Sequence, residues 1–332
     1  MSHSKILVTG ASGNTGRAVA EELQRQGVPF VAMTHSSTNM ARFKAQGIDV
    51  IFGDFDAPET LRSALSGTKK AYLVCTPDEK LVRRETAFIR AASEAGVEHV
   101  VMCSAYLSGV DAETQNLRSH GVIENILKTS GMAYTIIRPV GFMQTFTLFV
   151  WDMVQRAGAI SLPAGDGGMA LVDTRDVAMI AVKALTESGH EGKVYDVTGP
   201  ESLSPGQQAD ILGRVLGRKI HYLPMEGSGL SRVMSVLGVP VTPAEHVIKI
   251  FRMQREHRLE VVLHTQRDLG IVPTTYEQFV HDYVAGRTQG GNSFEPLDTL
   301  FVRAFNQIAM LALRVRVFWA RHGIGNNAGL KH

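Results

Sequence analysis

The chain has 332 residues, and its 44% apolar and 20% charged residues are an ordinary globular balance with ample material for a core. Its 34 Lys and Arg residues and 32 Asp and Glu residues give a net charge of +2, so no global field favours nucleic acid as a partner. The only cysteines are Cys75 and Cys103, which excludes a disulfide framework and a cysteine-built zinc site, and we expect no metal.

Short apolar runs alternate with helical patterns over residues 5–139. Strands are predicted at residues 5–10, 30–34, 49–54, 71–76, 99–105 and 133–139. Helices are predicted between them, at residues 14–27, 39–47, 57–67, 78–96 and 119–130. Because this alternation is typical of a parallel sheet covered on both faces, it predicts a doubly wound α/β fold. With a first strand by Lys5 we expect no signal peptide and a cytoplasmic location.

After residue 140 the rhythm changes. Helices are predicted at 141–158 and 175–188, and residues 193–217 read as a strand, a turn and a helix capped by Ser204 with Pro205 at its first position. Residues 222–290 have a mixed composition that favours helix. We therefore expect a smaller, mainly helical region after the sheet.

A glycine-rich loop joins the first strand to the first helix. Gly10, Gly13 and Gly16 follow the spacing G-x-x-G-x-x-G, and the amides near Asn14 and Thr15 would point at a phosphate from the positive end of the helix. Glycines also occur in ordinary turns, but the position of this trio between a strand and a helix favours nucleotide binding.

The end of the second strand bears on the choice of cofactor. An acidic residue there would bind the ribose hydroxyls of NAD, whereas this chain has Thr34, His35 and Ser36, followed by Ser37 and Thr38. Hydroxyls and imidazole suit a 2′-phosphate better, so NADP(H) is favoured over NAD(H), although no Arg is present to pair with that phosphate. The alternative for Ser37 and Thr38 is that they cap the next helix.

Three further stretches carry a resemblance to a known family. With GDFDAPETLRSAL (53–65), SGMAYTIIRPVGF (130–142) and KVYDVTGPESLS (193–204), the chain resembles the NmrA-like branch of the atypical short-chain dehydrogenase/reductases over about residues 3–294. The resemblance implies a Rossmann-type dinucleotide-binding core at about 1–140, interwoven with a substrate region at 141–295, and NAD(P)H as the ligand.

The same resemblance assigns roles to individual residues. Those expected at the phosphates are Gly10, Ser12, Gly13, Asn14, Thr15 and Gly16. Those expected elsewhere are Asp54 and Phe55 at the adenine, Thr76 and Pro77 near the nicotinamide ribose, Pro139 and Val140 against the nicotinamide, and Phe142 and Met143 in the substrate pocket. Asp54 would look the same as a simple turn residue.

The chain departs from the family pattern at the expected catalytic pair. Short-chain dehydrogenases generally use Tyr-x-x-x-Lys, and here those positions match Asn116 and His120, which cannot reproduce a phenol activated by an ammonium. Ser104 matches the usual active-site serine, or else bonds only to backbone. Tyr106 is the nearby tyrosine and an alternative proton donor.

Three interpretations of His120 stay open at the level of sequence. It is a general acid for a quinone or enone oxygen, or it binds the nicotinamide ribose as the Lys does in relatives, or it is a residue at the start of helix 119–130 with Ser119 as its cap.

Residues 296–332 form an apolar extension beyond the family's usual end. Five Lys or Arg residues and one Asp give it a net charge of +4. A helix over 298–321 would be apolar nearly all round, so we expect it to be buried on the same chain, in a homodimer or at a membrane surface. Its arginines argue against a membrane span.

These observations predict an NAD(P)H-dependent reductase that transfers hydride to a quinone, an enone or a similar conjugated small molecule. The alternatives are a non-catalytic NAD(P)-sensing protein that binds a protein partner, which the missing catalytic pair supports, and a biosynthetic imine or ether reductase.

Overall fold

The computed structural model of the protein describes residues 5–226, 228–231 and 241–288. The strands are β1 (Lys5–Val8), β2 (Phe30–Thr34), β3 (Val50–Phe52), β4 (Thr68–Leu73), β5 (His99–Cys103), β6 (Ala133–Pro139), β7 (Ala159–Ile160), β8 (Lys193–Val197) and β9 (His221–Tyr222). The longer helices and one short helical turn are α1 (Asn14–Arg25), α2 (Ser37–Ala45), α3 (Pro58–Ala64), α4 (Leu81–Glu94), α5 (Gln115–Lys128), α6 (Met143–Ala157), α7 (Thr174–Thr186), α8 (Pro205–Leu216), α9 (Val241–Arg255), α10 (Thr265–Asp268) and α11 (Tyr276–Thr288).

Seven of these strands form one parallel sheet in the order β3-β2-β1-β4-β5-β6-β8. Leu7 of β1 pairs with Val31 of β2 on one side and with Ala71 of β4 on the other. Because the chain moves outward from β1 to β3 and then returns to place β4 on the opposite side of β1, the strand order reverses between β1 and β4. The predicted doubly wound α/β fold is confirmed.

The seventh strand of the sheet is β8. It pairs in parallel with β6, with Tyr195 opposite Ile137. The sequence predicts a strand at this point but not its place in the sheet, because its partner lies far away along the chain.

Each face of the sheet is covered by a separate apolar core. On one face, Val101 of β5 belongs to a core with Leu23 of α1 and Ile180 of α7. On the other face, Val100 belongs to a core with Phe88 of α4. Successive residues of a strand point to opposite faces of the sheet, so each strand packs against the helices on both faces. Burying one such side chain contributes about 1.5–3 kcal/mol to stability.

The chain divides into two compact units, and the first carries the sheet. Unit 1 contains Met1–Phe142, Ala170–Pro200 and Val261–Thr274. The predicted change of region after residue 140 falls near the first of these boundaries, but α7, β8 and α10 belong to unit 1 as well.

The third stretch of unit 1 is held to it by hydrogen bonds. Thr274 donates from N and Oγ1 to the buried Asp176 of α7, at 2.8 and 2.7 Å. Leu263 N donates to Thr198 Oγ1, which follows β8, at 2.8 Å. These bonds fix the segment 261–274 on α7 and β8.

Unit 2 contains Met143–Met169, Glu201–Glu260 and Thr275–His332, as far as these residues are described. In it, β7 and β9 pair in parallel, and α8 begins with a capping box in which Ser204 Oγ accepts from Gln207 N at 3.3 Å and Gln207 Oε1 accepts from Ser204 N at 2.8 Å. The predicted cap at Ser204 is confirmed. The extension 296–332 lies outside the described residues, so the predictions made for it stay predictions.

Candidate active site

The carboxyl ends of the parallel strands meet at one edge of the sheet. The glycine loop follows β1, Thr76 and Pro77 follow β4, Ser104 follows β5, and Pro139 ends β6. Since these four strands are consecutive in the sheet, the residues lie side by side along its edge. Ligands of open α/β sheets bind outside this edge where the strand order reverses, which is here between β1 and β4.

Two positions of the glycine loop accept no side chain. Gly10 has a φ of +58°, and a Cβ there would lie 2.7 Å from Val74 Cγ1. A Cβ on Gly16 would lie 2.2 Å from Gly10 O and 2.7 Å from Thr9 O, which are backbone atoms. The loop therefore runs directly against the end of β4, and α1 begins directly against the loop.

The first turn of α1 presents amides that lack a side-chain cap. Gly13 is the N-cap and contributes no side-chain hydrogen bond, and the first turn contains no acidic residue. The amides of Asn14 and Thr15 therefore keep the partial positive charge of a helix N-terminus, with the exposed Ser12 just before them. This close backbone approach and this donor set fit a pyrophosphate.

Thr9 ties the loop to the neighbouring strand. Its Oγ1 accepts from Val74 N at 2.9 Å and lies 3.1 Å from Tyr72 O and 3.0 Å from Val74 O. A hydroxyl carries one proton, so it donates to one of these carbonyls at a time. The buried side chain thus fixes the ends of β1 and β4 to each other on both sides of the reversal point.

Ser36 caps α2 at the end of β2. Its Oγ accepts from Asn39 N at 3.3 Å, and the exposed His35 precedes it. The alternative that Ser37 and Thr38 provide the cap is wrong, because these are the first two residues of the helix itself. His35 and Ser36 sit beside a helix N-terminus without an acid, an arrangement that fits an anion better than a pair of ribose hydroxyls.

The residues predicted at the adenine follow β3. Asp54 is half-buried, and its Oδ1 accepts from Asp56 N at 2.8 Å in a turn. Its other carboxyl oxygen accepts no hydrogen bond from the described residues. Phe55 packs on Phe88 of α4, with ring centroids 5.7 Å apart. Asp54 thus has a turn role, and its contact with the adenine end of a cofactor stays a prediction.

Arg84 of α4 links the loops after β3 and β4. Its Nη2 lies 2.5 Å from Asp56 Oδ2, and its Nη1 lies 2.7 Å from Asp78 Oδ2. The hydrogen bond from this guanidinium holds the pKa of Asp56 well below its usual value. Thr76 and Pro77 are exposed in the second loop, where Thr76 O accepts from Asp78 N at 2.9 Å.

A buried carboxylate gathers hydrogen bonds from the end of β5. Glu124 of α5 has a side chain that is 1% exposed, and its Oε1 accepts from Ser104 Oγ and Ser108 Oγ, each at 2.6 Å. Arg138 of β6 donates to it from Nε at 2.8 Å and also from Nη2. Lys128, one turn further along α5, lies 3.3 Å from its Oε2.

The charge of Glu124 is held by these partners. Burial alone would raise its pKa, but the hydrogen bonds from Arg138, Ser104 and Ser108 outweigh burial and lower that pKa to about 2. The carboxylate is therefore ionised at neutral pH and can only accept. Both serine hydroxyls must then donate to it, which leaves each serine oxygen with lone pairs alone toward a ligand.

The turn that carries these serines is fixed at several points. Ser104 N donates to Ile137 O at 2.7 Å, and Tyr106 N donates to Pro139 O at 2.9 Å, so the pairing of β5 with β6 continues past the end of β5. Leu107 has a φ of +62°, in the left-handed region, which is unfavourable for a residue with a bulky side chain. Such a conformation persists only where the surrounding structure fixes the backbone.

The same turn crosses α5 at a pair of glycines. A Cβ on Gly121 would lie 2.4 Å from Gly109 C, and Gly109 N donates to Leu117 O at 3.3 Å. Only glycine allows this close approach, so residues 104–109 and α5 hold each other in place.

His120 lies inside α5 rather than at its start. Thr114 is the N-cap, and its Oγ1 accepts from Leu117 N at 3.2 Å. The predicted helix start at 119 with Ser119 as cap is wrong, because Thr114 caps a first turn whose few apolar residues gave no helical period. The 8% exposed His120 shares a helix face with Glu124, four residues later. Its roles as general acid or ribose ligand stay predictions.

The remaining predicted residues follow one another at and after the end of β6. Pro139 is buried, and Val140 N donates to Val197 O at 3.0 Å. Phe142 is half-buried and bridges to Val172, while Met143 opens α6 and is 1% exposed. Their contacts with nicotinamide and substrate stay predictions.

Comparison with known families identifies the chain. The NmrA-like family model matches residues 2–273, over the whole of the described sheet and the loops at its edge. The chain belongs to the NmrA-like family.

Individual relatives of this NmrA-like chain are reductases. It is 32% identical over 283 residues to the NAD(P)H azoreductase of Xenophilus azovorans, covering 84% of this chain and 98% of that protein. It is 34% identical over 274 residues to the (4-alkanoyl-5-oxo-2,5-dihydrofuran-3-yl)methyl phosphate reductase of Streptomyces griseus, covering 82% and 92%. The solved NADPH complex of an NADPH-dependent quinone oxidoreductase from Escherichia coli matches at 27% identity with a TM-score of 0.75, covering 84% and 99%.

These similarities confirm the predictions of an NmrA-like chain and of an NAD(P)H-dependent oxidoreductase. In the part of the chain that the structure describes, no group of His, Cys, Asp or Glu residues is arranged to hold a metal ion. No helix among the described residues is long and apolar enough to cross a membrane.

The sequence reasoning missed Glu124 and Arg138. A signal was present, because Glu124 lies between Ile123 and Leu127 on the apolar side of a helix and Arg138 interrupts the apolar strand AYTIIRP. A charged residue on each of two neighbouring apolar elements indicates a buried ion pair.

Proposed function

We propose that this NmrA-like chain is a reductase that passes a hydride from NADPH to a conjugated small-molecule acceptor, with quinones and azo compounds as the first classes to test. When bound, the reduced nicotinamide supplies the hydride, and the protein binds, orients and excludes water. A site without Tyr-x-x-x-Lys suits such acceptors, since they need mainly proximity to the hydride and a modest proton donor.

The observation that carries the proposal is the close packing of the glycine loop. Gly16 leaves no room for a Cβ against Gly10 O, and α1 begins without a side-chain cap or an acidic first turn. A helix that opens in this way, at the point where the strand order reverses, is suited to bind the two phosphates of a dinucleotide.

The preference for NADP(H) rests on the end of β2. His35 and Ser36 lead into the N-terminus of α2, and no acidic residue stands there to repel a 2′-phosphate. In support, the name of the similar quinone oxidoreductase specifies NADPH, whereas that of the azoreductase allows either dinucleotide.

The acceptor class is supported by the names of the relatives. They reduce an azo group, a quinone and an oxo-dihydrofuran phosphate, which share a conjugated unsaturated centre. We therefore extend the prediction of a quinone or enone acceptor to include azo compounds.

A two-step experiment tests this function. NADPH and NADH are first titrated by fluorescence, with tighter binding expected for NADPH. The preferred cofactor is then mixed with a quinone, an azo dye, an enone and an imine while its absorbance is followed. Turnover of the first three but not the imine is the expected result, and turnover of the imine alone would favour the biosynthetic alternative. Binding without turnover on any acceptor would favour the sensor alternative and refute the proposal.

A further inference from the structure

We propose that Tyr106 donates the proton that accompanies hydride transfer, and that Glu124 is a positioning residue that holds the turn 104–108 on which Tyr106 stands. The proposal rests on the proposed reductase function. The phenol of Tyr106, the hydroxyl of Ser104 and the buried carboxylate of Glu124 thus have separate roles.

The hydrogen bonds of Ser104 exclude it as the proton donor. Its Oγ is 2.6 Å from Glu124 Oε1, and the ionised carboxylate has no proton of its own to share. The single hydroxyl proton of Ser104 is therefore committed to Glu124, as is that of Ser108. To donate to a ligand, Ser104 would have to leave a charge-assisted bond to a buried carboxylate, which is unfavourable because the carboxylate would lose one of its donors.

Tyr106 lies between Ser104 and Ser108 in the turn 104–108. Tyr106 is half-buried, and its phenol makes no hydrogen bond with any described residue. Its backbone is fixed, since Tyr106 N donates to Pro139 O at 2.9 Å. A phenol that lacks a partner within the described chain, on a backbone fixed at this edge of the sheet, is available to a ligand there.

Glu124 supports the turn that carries Tyr106. One carboxylate binds the hydroxyls on both sides of Tyr106, Ser104 before it and Ser108 after it, and Arg138 holds that carboxylate to β6. Losing Glu124 would release both serine side chains and leave the turn on its backbone hydrogen bonds alone, while the phenol itself is unchanged. Because a misplacement of about 1 Å can cost 100-fold in rate, we expect such a release to slow proton transfer.

The chemical step balances without a further reactant. A hydride and its electron pair pass from the nicotinamide to the acceptor, the phenolic O–H bond of Tyr106 breaks, and an O–H or N–H bond forms on the acceptor. The acceptor is reduced and NADPH is oxidised. The phenolate then takes a proton from water.

A pair of acceptors separates proton donation from simple structural support. A quinone needs a hydride and a proton, whereas a cationic triphenylmethane dye needs only a hydride to become its neutral leuco form. We expect Tyr106→Phe to lower kcat on the quinone about 100-fold and on the dye at most about threefold, since a general acid contributes about 10²–10⁴-fold. We expect Glu124→Gln to lower the quinone rate about tenfold, again with the smaller loss on the dye.

Two matched variants and one further measurement complete the test. Tyr134→Phe removes a half-buried phenol from the opposite end of β6, and Glu85→Gln replaces a buried carboxyl on α4 with an amide of the same shape. Neither variant should change the quinone-to-dye ratio. The NADPH Kd and the thermal midpoint of each variant report on folding, and Ser108→Ala gives a milder release if Glu124→Gln unfolds. Should the wild type not reduce the dye, the solvent deuterium isotope effect on quinone turnover decides, since Tyr106→Phe should abolish it.

Several outcomes would overturn the proposal. Equal losses on the quinone and the dye would make Tyr106 a structural residue, and loss of the isotope effect in His120→Ala but not in Tyr106→Phe would assign the proton to His120. Full activity of Glu124→Gln would remove its positioning role. A wild type that binds NADPH but reduces no quinone, azo dye, enone or triphenylmethane dye would instead overturn the reductase function on which the proposal rests.

Discussion

Replacing Gly16 by Ala tests the dinucleotide site most directly. The added Cβ would lie 2.2 Å from Gly10 O and 2.5 Å from Gly10 C. Real Cβ atoms essentially never come closer than about 3.0 Å to another heavy atom, so either the loop or the start of α1 must move by about 0.8 Å. The colliding atoms belong to the backbone, which cannot rotate away as a flexible side chain could.

This displacement should weaken cofactor binding more than folding. A shift of this size misaligns one of the amide hydrogen bonds to phosphate, each worth about 1.5–3 kcal/mol, so we expect NADPH binding to weaken about 10- to 100-fold. Strain of this kind typically costs a fold about 1–3 kcal/mol, which a domain of ordinary stability survives.

Fluorescence titration of NADPH against the Gly16→Ala variant measures the effect, and calorimetry checks that the variant is folded. Gly286→Ala is the matched control, because a Cβ at this helical glycine meets no atom of the described residues within 4 Å outside its own helix. That control should bind NADPH as the wild type does and gain a fraction of a kcal/mol in stability. A folded Gly16→Ala variant with a Kd within threefold of the wild type would refute the reasoning about the loop.

Three further predictions concern stability. Burial lowers the pKa of His99 to about 4. Between pH 6.5 and about pH 4, His99 is therefore protonated in the unfolded chain but stays neutral in the folded chain. The free energy of unfolding should therefore drop by on the order of 3 kcal/mol over this range in urea titrations, and His99→Leu should flatten the slope. Burial raises the pKa of Glu85 to about 8. The stability linked to this shift is fully present below pH 4.5 and is lost as the pH rises to about 8. Glu85→Gln should thus gain stability relative to the wild type at pH 8 compared with pH 4.5, and a constant difference between the two would count against the shift. Thr114→Ala should lower the free energy of unfolding by about 1 kcal/mol because α5 loses its N-cap, and Thr114→Ser should restore that free energy. Chemical denaturation of both variants measures the difference, and a Thr114→Ala variant as stable as the wild type would show that the cap is unimportant.

The sheet could be predicted from sequence because its signals are local. Each apolar run and each helical period between residues 5 and 139 is contained in about ten residues, and β2 and β6 were predicted at their observed bounds, Phe30–Thr34 and Ala133–Pro139. The place of β8 could not be predicted, since its pairing with β6 joins residues that are separated by two helices.

The candidate site was predicted only where a single loop builds it. The glycine loop is contiguous, so its role follows from spacing. The carboxylate cluster joins Ser104, Glu124 and Arg138 from a strand end, a helix and a second strand, and only the folded sheet brings them together. For the same reason the sequence offered Ser104 only as the usual active-site serine or as a residue bonded to backbone, while in the structure its hydroxyl donates to Glu124.

Unit 1 takes its last strand and its last covering segment from late in the chain, β8 at Lys193–Val197 and the stretch Val261–Thr274. On the ribosome, six strands of the sheet therefore emerge before β8 is synthesised. Until then the outer edge of β6 has unpaired backbone groups. At a synthesis rate of about 5–20 residues per second, Val197 at the end of β8 follows Pro139 at the end of β6 by on the order of 5 s. During that interval the nascent sheet offers an open edge to other chains, so the period of greatest risk of misassembly for this protein lies within its own synthesis.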